Sequence, residues 1–139
     1  MAPTRCDCDR PRLTVVLSLA ERGVPHGSAG HDIIYDYTRV SECSECGGGV
    51  VEHFSHDCWD IGDHADYDKY WWWRVDMDAI RELVRACPAP LDPGCGCPVH
   101  QGLGAGSPNP LPPSAETPYD DVTVPRAGVR VVDGVPRWA

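Results

Sequence analysis

Apolar and polar positions alternate along the first half of the chain. In RLTVVLSL, Leu13, Val15, Leu17 and Leu19 fall on one phase and Thr14, Val16 and Ser18 on the other, the period of a half-buried strand. Glycines and a proline in ERGVPHGSAG break that pattern before a second run, DIIYDYTRV, rich in β-branched and aromatic residues. A turn-like SECGGG follows, and VVEHFSHDCW alternates again, so residues 32–59 read as a long antiparallel hairpin with Cys43 and Cys46 at its tip. Beyond the acidic stretch DCWDIGDHADYD, YWWWRV predicts a fourth strand, with Trp71 and Trp73 on one side and Trp72 on the other. The period then changes. In MDAIRELVRAC, Ile80, Leu83, Val84 and Cys87 share a helical face, Asp76 or Asp78 can cap the start, and Pro88 stops it. No second helix is predicted.

From Leu103 onward the chain has another character, since seven of its fourteen prolines lie in the last 37 residues. GLGAGSPNPLPPSAETP reads as a linker or extended arm. Asp133-Gly134 is a good two-residue turn inside VRVVDGVPRW, which can dock as a hairpin or strand on the body or on a partner. The expected organisation is a small zinc-stabilised α+β domain over residues 1–102, with an antiparallel sheet, a long hairpin and one helix. A Pro/Gly-rich arm over residues 103–139 completes it.

Composition changes the picture chiefly through cysteine. Eight cysteines in 139 residues mean that thiol chemistry supplies part of what a modest core cannot. MAPTRCDCDRPR lacks the apolar run of roughly 7 to 15 residues that a secretory signal needs, and Leu13 to Ala20 is too short to span a membrane. The expectation is a cytoplasmic protein whose cysteines are reduced thiols or metal ligands. Ordinary buried thiols would account for two or three cysteines but poorly for three close pairs. The formal charge is −9, with 17 of 21 acids and 9 of 12 bases in residues 1–102. That sign disfavours nucleic acid and favours a basic protein partner. Eleven of the twelve bases are arginine, usage that points to a GC-rich genome.

Cys43-Ser-Glu-Cys46-Gly47 resembles the zinc knuckle of zinc-ribbon and related zinc-finger proteins, over Glu42 to Gly49 alone. The resemblance implies a tetrahedral structural zinc with Cys43 and Cys46 as two of its ligands. The second pair must come from elsewhere. Cys58, on the returning strand, would lie more than ~20 Å from the hairpin tip at strand rise. Cys95-Gly-Cys97 is the first choice, because alternate residues of an extended segment point the same way and its glycines permit close approach. Cys6-Asp-Cys8 competes with it. On the first choice Cys6, Cys8, Cys58 and Cys87 remain, one further set of four, although Cys58 and Cys87 also fit as plain core residues.

Other chemistry is less well supported. His53, His56 and His64, with Asp57, Asp60 and Asp63, could surround a catalytic metal, but the spacing matches no HExxH-like pattern and alternation separates His53 from His56. The aspartates lack the glycine and terminal glutamate of a calcium loop. A redox role for Cys43 and Cys46 lacks the strand-to-helix setting of thioredoxin-like motifs. The expected function is a non-enzymatic zinc-binding interaction module of the immunity, adaptor or inhibitor kind. Its partner-binding surface would comprise Asp60, Asp63, Asp66, Trp71 and Trp73. The alternatives are a metal-dependent hydrolase or thiol enzyme using the His53–His64 region, and a zinc-ribbon nucleic-acid binder.

Overall fold

A computed structural model describes residues 6, 8–25, 32–57, 67–104 and 126–139. The elements run β1 (Leu13–Pro25), β2 (Asp32–Cys43), β3 (Gly49–Asp57), β4 (Tyr67–Val75), α1 (Met77–Ala86), α2 (Pro98–Leu103), β5 (Arg126–Ala127), β6 (Val129–Val132) and β7 (Val135–Trp138). Strands β1 to β4 form an antiparallel meander in sequence order, and β5 adds to β4 in parallel. The long hairpin is β2–β3, and its turn carries the Cys-x2-Cys run.

Register decides what the sheet separates. Leu17, Val40, Val51 and Trp73 stand opposite one another across the four strands. They pack with Val75, Met77 and Ile80, and with Val99 and Leu103 of α2, as the main core. The other face holds a smaller cluster of Cys6, Cys43, Val50 and Trp72, with Cys8, Leu13 and Cys46 at its rim. Side chains one residue apart on a strand take opposite faces, so Trp72 faces away from Trp73, as the pattern predicts.

Regular alternation in β1 breaks down. Leu13 belongs to the smaller cluster and Leu17 to the main core, although both lie on the same phase. Pairing shifts between Val15 and Leu17, and again between Ser18 and Ala20. A bulge inserts one unpaired residue and exchanges the faces of the residues that follow, up to the next shift. Leu13 therefore faces Cys43 while Leu17 serves the opposite side, and Val15 is left 36% exposed. The strand also runs past the glycine to Pro25, where a missing donor is tolerated because β1 lies at the sheet edge among the described residues.

Helix α1 starts at Asp76, whose carboxylate accepts from the Asp78 amide at 3.0 Å. Helix α2 is an addition to the expected elements. Pro98 occupies its first turn, where a missing N–H costs nothing, but six residues are too few to show a helical period. It crosses the expected division between residues 102 and 103. Near the end of the chain, Asp133 (φ 52°) and Gly134 (φ 78°) make the turn between β6 and β7. This hairpin lies on α2: Trp138 Nε1 donates to the Leu103 carbonyl at 3.0 Å, and Val129 and Trp138 pack against the main core. Among the described residues no helix is long and apolar enough to cross a membrane.

Candidate metal centres

Among the described residues two groups of four potential ligands form, one on each face of the sheet. Within each, the candidate ligand atoms all lie within 4.8 Å of one another.

The first group is Cys6, Cys8, Cys43 and Cys46. Cys43 ends β2, and the chain reverses tightly after it: the Gly47 amide donates to the Cys43 carbonyl at 2.7 Å and the Cys43 amide to the Gly48 carbonyl at 2.8 Å. Gly47 takes φ +74°, a conformation an L side chain would strain. This reversal turns the Gly48 amide onto Cys46 Sγ at 3.4 Å. Burial works to raise the Cys43 thiol, but the backbone amides of Cys46 and Glu45 outweigh it and bring the group down to about 7. Burial pushes Cys6 up to about 12.

Cys6 and Cys8 approach from an irregular segment. Arg74 on β4 donates to both of their backbone carbonyls, Nη1 to Cys6 and Nη2 to Cys8 at 3.2 Å. Ser44 N donates to the Arg12 carbonyl at 2.9 Å, tying the start of β1 to the turn. On the other side of the turn Arg81 of α1 donates to the Glu42 carboxylate at 2.6 Å and to the Gly47 carbonyl at 3.4 Å.

The second group is Cys87, Cys95, Cys97 and His100. Cys87 is the C-cap of α1, Cys97 the N-cap of α2, and His100 lies within α2, one turn on from Cys97. Between them the loop folds on itself: the Cys95 amide donates to the Asp92 carbonyl at 3.1 Å and the Gly94 amide to the Asp92 carboxylate at 2.9 Å. His100 Nδ1 stands 3.2 Å from Cys97 Sγ and 3.4 Å from Cys87 Sγ. Its other nitrogen, Nε2, lies 2.8 Å from the Ser18 carbonyl. Burial raises Cys87, aided by its contact with Cys97, to about 12. At Cys97 burial is outweighed by the amide and ring of His100, and the thiol falls to about 6.

The set expected from Cys43, Cys46, Cys95 and Cys97 is thus divided between the two groups. Cys43 and Cys46 meet the competing pair, Cys6 and Cys8, while Cys95 and Cys97 meet Cys87. The sheet is the reason, because it stands between the knuckle and the loop that follows α1. Cys58 lies outside the described residues, as do His64, Asp60, Asp63 and Asp66. His100 escaped the sequence analysis. Its signal was Cys97-Pro-Val-His100, a Cys-x2-His spacing.

His53 takes another role. It pairs across the strands with Thr38, its Nδ1 2.9 Å from the Thr38 hydroxyl, and its ring tilts over Trp71 at 5.4 Å. Burial, opposed by Asp36, holds it below the ordinary imidazole range. Trp73, expected at a partner surface, is 1% exposed in the main core because α1 and α2 cover that face. Trp71 packs partly buried against the same core.

Comparison of the chain with protein-family models, with curated proteins and with solved structures gave no match.

Proposed function

We propose that this chain is a non-enzymatic zinc-binding interaction module whose fold is held by two structural metal ions and whose task is to bind a basic protein. The observation that carries the reading is the pair of complete four-ligand sets. Zinc favours tetrahedral sites of cysteine thiolates with or without imidazole, and structural sites use four protein ligands where catalytic ones leave a position open. Zinc–sulfur bonds of about 2.3 Å set tetrahedral sulfurs about 3.8 Å apart. Three of the sulfur separations are 3.3, 3.9 and 4.0 Å, and all ligand atoms of each group lie within 4.8 Å of one another, close to that value.

The net charge of −9 supports a basic partner, whose approach an acidic surface would accelerate. Of the proposed surface, Asp60, Asp63, Asp66 and the partly buried Trp71 are kept; Trp73 is withdrawn, being buried. Native mass spectrometry with elemental analysis tests both halves: two zinc ions per chain are expected, together with a copurifying basic protein. Replacing Asp60, Asp63 and Asp66 by asparagine should weaken that association, more so at low salt, without changing metal content. A chain that holds no zinc, or an association indifferent to all three substitutions, would overturn the corresponding half.

A further inference from the structure

Among the described residues the outer edge of β1 has no neighbouring strand, and such an edge presents unpaired amides and carbonyls that invite other chains. At Ser18 both groups are nevertheless taken. Its amide donates to the Pro90 carbonyl at 2.8 Å, and its carbonyl lies 2.8 Å from His100 Nε2. Both partners belong to the stretch that bears the second group of ligands. The cover is also dry: Leu17, Ser18 and Leu19 are 0, 5 and 2% exposed. Gly104, just past α2, comes so near that a Cβ there would sit 2.8 Å from the Leu19 carbonyl oxygen.

We propose that metal occupancy at the Cys87/Cys95/Cys97/His100 centre controls whether the edge of β1 at Ser18 is covered. The proposal rests on the reading of that group as a metal site. Between α1 and α2 the loop is rich in proline and glycine, and its hydrophobics packed on the main core are the three cysteines themselves. Their ligation is therefore what seats the loop. His100 couples the two events chemically. A neutral imidazole has one donor and one acceptor nitrogen. A metal on Nδ1 puts the proton on Nε2, which then donates to the Ser18 carbonyl. With Nδ1 unligated the alternative tautomer becomes available, and Nε2 would then turn a lone pair towards that carbonyl.

The test follows the Ser18 amide by NMR hydrogen exchange in the full chain, with metal counted by native mass spectrometry. In the two-zinc protein the amide should be protected. In Cys97→Ser, one zinc should be lost and Ser18 exchange should accelerate at least tenfold, while the amides of the β2–β3 ladder keep their protection. Stepwise chelation of the parent chain provides the same readout should the variant not fold, and adding zinc back should restore protection. If one zinc leaves and Ser18 stays as protected as before, the guard is disproved while the metal site stands. If Cys97→Ser keeps both ions, the metal assignment itself fails.

Discussion

The Arg74 guanidinium donates to the Cys8 carbonyl at 3.2 Å and, through its other terminal nitrogen, to the Cys6 carbonyl. One planar fork thus holds the backbone of both ligands that the first centre draws from outside the sheet. It also sets a positive charge beside the four cysteines of that group.

Arg74→Met should therefore weaken zinc binding at the first centre by about 10- to 100-fold, the usual cost of losing an outer partner of a ligand. The second centre should be unaffected. Arg74→Lys restores the charge but not the fork and should recover only part of the loss. Competition with a chromogenic chelator measures both sites; equal affinities in parent and Met variant would show that the metal alone orders Cys6 and Cys8.

Cys43→Ser and Cys46→Ser should each cost one of the two ions and lower thermal stability sharply, since a structural zinc contributes on the order of ~10 kcal/mol to the bound state. Elemental analysis beside a melting curve decides this. Either variant retaining two ions and the parental melt would rule out the knuckle as a metal site.

In the metal-free folded chain, Cys43 and Cys97 should be the first thiols to ionise, at about 7 and about 6, with Cys6 and Cys87 the last, at about 12. For the first two the folded value lies below the ordinary thiol value of 9.0. Their contribution to stability is thus complete above pH ~9 and lost as pH falls through 7 and 6. Cys6 and Cys87 act in the opposite sense, stabilising below pH ~9 and less so as pH rises towards 12. Brief alkylation at pH 7.5, located by mass spectrometry, should label the part-exposed Cys97 ahead of the buried Cys87. Uniform labelling would count against the amide network drawn around those sulfurs.

At Gly102 a Cβ would overlap the Pro136 carbonyl oxygen and come within 2.8 Å of Val135 Cγ1. Gly102→Ala should push the β6–β7 hairpin off α2 at a cost of about 1–3 kcal/mol, the range for overpacking. Limited proteolysis should then cut between β6 and the end of the chain faster than in the parent, with the first centre still loaded. Unchanged cleavage would mean that the hairpin can shift on α2 without release.

What the residues determined by themselves was local. Alternation marked β2, β3 and the aromatic part of β4, with β2 uninterrupted from Asp36 to Glu42 where it pairs with β3, and the amphipathic period marked α1. Cys43-x2-Cys46 followed by glycine was legible as a ligand turn because all its determinants lie within a few residues. Which cysteines share a centre was not legible, since that depends on which face of the sheet each segment reaches. The bulge after Val15 rotates β1 so that Leu13 meets Cys43 while Leu17 joins the opposite core. The chain after α1 then lies on Leu17's side, which puts Cys95 and Cys97 out of reach of the knuckle and brings them to Cys87 and His100. Strand pairing and its irregularities are long-range, and only the folded sheet decides them.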